Sequence, residues 1–176
     1  MKKALLIASV LFIAVISTAC INNIAVQELN NKAAEFMQKG DYDSAINRLE
    51  ASIDLDSSMY ETYYNLGIAA TKAKKYDLAI EAFQNGLKLK QDYFDFYYSL
   101  GVAQAEYADF LVETEVYNED KAETSKKDVT NEDLEKATTL KASAVENLSK
   151  YLELNSQAED KAEVEELIKA YTKTEE

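Results

Sequence analysis

Histidine is absent from this chain, so the commonest zinc ligand and the usual base at neutral pH are both missing. Proline is absent as well, and glycine occurs only four times in 176 residues. That argues against turn-rich sandwiches and against glycine loops that cradle phosphate. The single cysteine, Cys20, has no internal partner for a disulfide. Positive charge is scarce too: 19 basic residues stand against 32 acidic ones, for a formal net charge of -13. Such a chain meets nucleic acid or an anionic membrane with repulsion, so no nucleic-acid partner is expected. No nucleophile with a paired base, no metal cluster and no phosphate loop can be assembled. We therefore assign no catalytic residue, no metal and no cofactor. What is present is mostly alanine, leucine, glutamate and lysine, the strong helix formers, in a chain with room for one ordinary domain.

The N-terminus reads separately. Lys2 and Lys3 precede an apolar run from Ala4 to Ile16 interrupted only by Ser9, followed by Ser17, Thr18, Ala19 and then Cys20. This is the layout of a secretory signal, and the apolar run is short for a membrane span. Three fates fit these residues: ordinary cleavage, retention as an anchor, or cleavage before a modified Cys20. The segment from Ile16 to Cys20 resembles a bacterial lipoprotein signal, in which the cysteine becomes the lipidated first residue. Ala19 suits its place, while Ser17 stands where an aliphatic residue is usual. The resemblance implies a signal peptide over 1–19, lipidation at Cys20, a short linker over 20–25 and an acyl anchor in the bacterial cell envelope. Without lipidation the cleaved protein would be periplasmic or secreted.

The rest of the chain repeats itself at an offset of 34. Tyr42-Asp43 recurs as Tyr76-Asp77, Ala45-Ile46 as Ala79-Ile80, Tyr63-Tyr64 as Tyr97-Tyr98, and Leu66-Gly67 as Leu100-Gly101. A period of this length marks a stacked architecture in which each unit buries its apolar face only against its neighbours. Within a unit the apolar spacing predicts two helices. Tyr60 to Ala70 forms the first, the Lys74–Asp77 stretch breaks the run, and Leu78 to Leu87 resumes it. Small residues such as Gly67 and Ala79 would let the paired helices approach closely, with Tyr63, Phe83 and Leu87 filling the space. Asp41, and the pairs Ser58 with Glu61, Thr130 with Asp133 and Ser156 with Glu159, have the spacing of helix caps.

The pattern Tyr60, Tyr63, Leu66-Gly67, Tyr76, Ala79, Phe83, Leu87 closely resembles the tetratricopeptide repeat family. The resemblance implies an all-α solenoid of helical hairpins over 26–171, with units at 26–59, 60–93 and 94–157, a capping helix at 158–171 and a tail at 172–176. The proline common after the second helix is replaced by Ser57, Gln91 and Ser156. The third unit carries an insertion of about 113–143. Its second-helix pattern, Ala144, Leu148, Leu152, Leu154, repeats that of Ala79, Phe83, Leu87, Leu89 at an offset of 65, one period plus 31 residues. Tyr107, Phe110, Leu111 and Val116 continue the helical spacing, and a long helix is expected to return from near Leu134. The insertion therefore reads as a helical extension. Between Asp109 and Glu135 ten acidic residues stand against three lysines, as in a solvated hairpin tip; a partner-binding element and a cation-attracting patch are the alternatives.

In this family the first helix of each unit lines a concave groove that binds other proteins. Carried over by position, the groove holds Asn30, Ala34 and Met37 from the first unit, Tyr64, Asn65, Ile68, Thr71 and Lys72 from the second, and Tyr98, Val102 and Ala105 from the third. Tyr64 and Tyr98 would offer apolar faces with hydroxyl handles. The places where some members clamp a terminal carboxylate hold Asn30, Ala34, Asn65, Ile68 and Ser99, too little positive charge for that mode. The resemblance implies a non-catalytic scaffold that binds a protein or peptide partner. A self-associating structural protein of the envelope, hence a homo-oligomer, is the alternative.

Overall fold

The computed structural model describes residues 23–113, 115–118, 123–126 and 128–172. The signal-like segment, Cys20, part of the acidic insertion and the last residues of the tail lie outside this range.

Seven helices are seen among the described residues: α1 (23–38), α2 (Tyr42–Leu55), α3 (Tyr60–Lys72), α4 (Tyr76–Leu89), α5 (Phe94–Val112), α6 (Asn131–Leu154) and α7 (Lys161–Thr172). From α2 to α7 each helix packs on the next, and α3 also touches α5. The expected helical-hairpin stack is the observed one. None of these helices is long and apolar enough to cross a membrane.

The helix ends follow from local chemistry in some places and not in others. Asp41 caps α2 by accepting a hydrogen bond from the Ser44 N–H at 3.1 Å, as its position predicted. Thr130 and Asp133 form a reciprocal capping box at the start of α6, which therefore begins at Asn131 rather than near Leu134. The Ser58 cap is not formed. The residue before α3 is Met59, without a side-chain cap, because Ser58 donates instead to the Asp56 carboxylate at 2.6 Å. The Ser156–Glu159 cap also fails, since α7 starts only at Lys161. The turn between paired helices needs one residue in the left-handed region. In the first unit it is Gly40, with φ 74°, and one period later it is Lys74, with φ 57°.

The core is built on an interlock between a large side chain and a bare stretch of backbone. A Cβ placed at Gly67 would overlap the Phe83 ring, one at Gly86 the Phe96 ring, and one at Gly101 would lie 2.8 Å from Leu148 Cγ. Phe83, Phe96 and Leu148 are fully buried. Leu148 occupies the place of Phe83 in the third unit, so the insertion lengthens the hairpin without disturbing this contact.

The insertion differs from a purely helical extension. Helix α5 runs for 19 residues against 13 in α3, and α6 for 24 against 14 in α4. Beyond them come two short antiparallel strands, β1 (Glu115–Asn118) and β2 (Glu123–Lys126), with Val116 opposite Ser125. Val116 is thus on a strand and not on the helix. Val116 and Thr124 are β-branched and Tyr117 is aromatic, types that favour a strand. The lengthened helices are held to the stack by a separate cluster of Tyr76, Tyr107, Ala108, Leu111 and Ala137. There the Tyr107 hydroxyl donates to Asp77 at 2.8 Å, and Lys136 Nζ donates to that hydroxyl at 2.7 Å.

Two substitutions test this account by urea or thermal unfolding. Gly67→Ala should cost about 1–3 kcal/mol, because the Phe83 ring it would meet is itself enclosed. Lys74→Gly should stabilise by up to about 1 kcal/mol by relieving the left-handed backbone.

Candidate functional site

Equivalent positions at successive unit junctions are filled with different chemistry, and this decides which groove residues stay open. At the first junction Asn30 of α1 donates to Ser52 Oγ at 2.7 Å and accepts from Thr62 Oγ1 at 3.2 Å. Ser52 and Thr62 are fully buried. Asn30 therefore joins α1, α2 and α3, and its amide satisfies polar groups that would be costly to bury alone.

One period later the same three places hold Tyr64, Gly86 and Phe96. Tyr64 stands edge-on to Phe96 at 5.3 Å and to Tyr93 at 5.8 Å, and accepts a hydrogen bond from Ser99 Oγ at 3.3 Å. Each such ring pair contributes roughly 0.5–1.5 kcal/mol beyond area burial, so Tyr64 works chiefly as a junction residue. At the third junction Tyr98 meets Tyr151 at 5.2 Å, while Tyr151 donates to Asp160 at 2.7 Å. Here the stack ends, and Tyr98 keeps 37 % of its surface exposed.

The remaining sequence-derived groove residues divide in the same way. Met37 and Ile68 are half-buried against the main core, and Val102 against the cluster of Leu148, Tyr151 and Val164. The Thr71 hydroxyl donates to its own helix at Gly67 O, 2.9 Å away. Ala105 is buried, Asn65 half-buried, and Ala34 and Lys72 exposed. Of the positions that the family resemblance assigns to a groove, Ala34, Lys72 and Tyr98 are thus exposed, and Asn65, Ile68 and Val102 are half-buried. Cys20 lies outside the described residues.

Several phenols of the stack lie close to carboxylates. Burial raises the Tyr98 pKa, and the charges of Asp160 and Glu163 raise it further. Tyr93 is pushed up to about 12 by burial and then by its bond to Asp95. Tyr151, through burial and Asp160, and Tyr171, through burial and Asp109, reach about 12 as well. Among the described residues no group of carboxylates or thiols is arranged to hold a metal.

Sequence reasoning saw the helical spacing of Tyr107 and Phe110 but missed what they meet. Tyr76 stacks on Tyr107 at 5.2 Å and lies 5.6 Å from Phe110. Asp77 and Lys136 meet across 59 positions of sequence. Periodicity reports which face of a helix is apolar and carries no signal for such a pairing.

Residues 30–93 match the family model for the tetratricopeptide repeat. The fold is a tetratricopeptide-repeat solenoid. Solved structures similar to it include the TPR2B domain of yeast Sti1 in its complex with pHsp70, with 14 % identity, a TM-score of 0.62, and coverage of 86 % of this chain and 98 % of that one. The Yersinia enterocolitica type III secretion chaperone SycD, bound to a peptide of the translocator YopD, shows 17 % identity, a TM-score of 0.62, and coverage of 85 % and 94 %. The Arabidopsis OM64 TPR domain is 14 % identical with a TM-score of 0.62 and coverage of 84 % and 96 %. At these identities the likeness speaks to the fold. No curated protein is similar to the chain in sequence.

The tyrosines of this TPR stack make a prediction about alkaline pH. A phenol that ionises near 10 when unfolded but near 12 when folded holds its proton more firmly in the fold. The linked stability is complete below pH 10 and is lost as pH rises toward 12. Circular dichroism and phenolate absorbance, followed together, should show a class of late-ionising tyrosines whose titration coincides with unfolding. Tyr151→Phe should remove part of that dependence.

Proposed function

We propose that this protein is a non-catalytic interaction module that receives a peptide segment of a partner protein along the concave face of its repeats. The observation that carries the reading is the open stretch around Tyr98, where an exposed phenol lies among the first helices of a tetratricopeptide stack. Similar folds have been solved with peptides bound, among them one with the HSP90 peptide SRMEEVD and one with the YopD peptide. An exposed aromatic one helical turn from Val102 on α5, with Lys72 exposed on α3, suits an extended peptide with an apolar anchor. We further propose that the module is tethered in the bacterial envelope through a lipid on Cys20, a reading supported by the signal-like segment before it.

Photo-reactive side chains placed singly at Lys72, Tyr98 and the opposite-helix position Gln84 test the binding face in intact cells. Positions 72 and 98 should capture the same partner protein and position 84 should not. Capture only of further copies of the chain would support self-association instead, and equal capture from all three would remove the groove from the account. Tyr98→Ala should weaken the captured complex roughly tenfold, whereas Tyr64→Ala should first destabilise the fold. For the anchor, a labelled fatty acid fed to the cells should enter the wild-type protein and not the Cys20→Ser variant. Unlabelled wild-type protein would sink the lipid assignment.

A further inference from the structure

The added turns of α5 create a cleft that an ordinary repeat would lack. It is a shallow cleft of about 470 Å3, open to solvent, whose described lining includes Tyr76, Phe110 and Val112 together with Glu106, Asp109 and Glu113. An adjoining cavity of about 310 Å3 shares Lys74, Tyr76 and Phe110 and extends to Tyr107. The aromatic wall is rigid, since Tyr76 is 7 % exposed and stacked on Tyr107.

The carboxylates are not equivalent. Asp109 accepts from the Tyr171 hydroxyl at 2.9 Å and pairs with Lys141 at 3.5 Å. Glu106 and Glu113 enter no ion pair among the described residues, and both act on the Tyr76 phenol. Among the described residues Lys74 is the one lysine of this lining and offsets one of these two charges; Lys75, which joins it in the adjoining cavity, is paired with Asp43 at 2.6 Å. The stripe Val102, Glu106, Asp109, Glu113 follows helical spacing, so the cleft continues the groove-facing side of α5 beyond the end of α3.

We propose that this cleft receives a lysine or arginine side chain of the peptide bound in the groove. The inference rests on the groove reading and specifies the partner's chemistry: an apolar anchor at Tyr98 and a basic residue at the cleft. A long basic side chain fits both halves of the lining, since its methylene stem can lie along the apolar edges of Tyr76 and Phe110 while its charge pairs with Glu106 and Glu113. Glu106 lies roughly 12 Å along α5 from Tyr98 at 1.5 Å per residue, a span that about four residues of extended chain cover. The same site disfavours acidic segments, whose carboxylates would face Glu106 and Glu113 with only Lys74 in between.

The test uses the full-length protein and a blocked peptide of about seven residues, long enough for that span, with one leucine and two arginines. The control carries glutamates in place of the arginines. Ring signals of Tyr98 report on the groove, and those of Tyr76 and Phe110 on the cleft, in an NMR titration. The arginine peptide should move all three, and the control, which keeps the leucine, should leave Tyr76 and Phe110 unmoved. The double variant Glu106→Gln/Glu113→Gln should bind about tenfold more weakly, and Lys74→Ala more tightly. Shifts confined to Tyr98 and unchanged by the double variant would overturn the cleft while leaving the groove standing. Equal binding of the control would overturn the charge preference, and no shift at any ring would take the groove reading down as well.

Discussion

The stack depends on large side chains seated against backbone that carries no side chain of its own. Phe83 over Gly67, Phe96 over Gly86 and Leu148 over Gly101 bring helices closer than any Cβ would allow. Close approach is what excludes water from a core only two helices thick, and interiors at this density tolerate little change in volume. Two of these contacts lie within a unit and one lies between units, so the same device closes the second and third hairpins and joins them to each other. In the first unit Ala33 and Leu49 take the corresponding places, both buried, which suits the smaller demand at the start of the stack.

Around that repeated contact the junctions are free to differ. The first is a hydrogen-bonded trio of Asn30, Ser52 and Thr62, the second an aromatic cluster around Tyr64 and Phe96, and the third a tyrosine pair closed by Asp160. The same position of the first helix thus serves as a polar connector, a core ring and a partly exposed ring in turn. Tyr98 packs on Tyr151 and lies near Asp160 and Glu163, yet keeps 37 % of its surface exposed. The long α5–α6 arm uses a third cluster, with Tyr76 as its base, and its mounting on the turn after α3 is what opens the neighbouring cleft.

Much of this was legible beforehand. The offset of 34 matched α2 to α4 and α3 to α5, and the offset of 65 matched Leu148 to Phe83 across the insertion, because both depend only on spacing along a helix. The caps at Asp41 and Thr130 were readable for the same reason. Ser58 and Ser156 show the limit: capping spacing was present, yet Ser58 is drawn to Asp56, and the chain after Ser156 makes a further turn before α7 begins. Groove residues were the least legible. Tyr64 and Tyr98 occupy identical places in identical motifs, and only their neighbours separate them.

The sequence by itself determined the helical class, the repeat, the position of the insertion and the absence of the side chains that catalysis at neutral pH most often uses. These follow from composition and from periodicities short enough to be properties of one or two helices. Tertiary structure alone decided that Asn30 and Tyr64 are consumed in packing, that Tyr98 is open, and that Asp77, Tyr107 and Lys136 meet. It also decided that carboxylates and aromatic rings line one cleft. Those outcomes depend on which residues face each other across tens of positions, and a one-dimensional period carries no record of that.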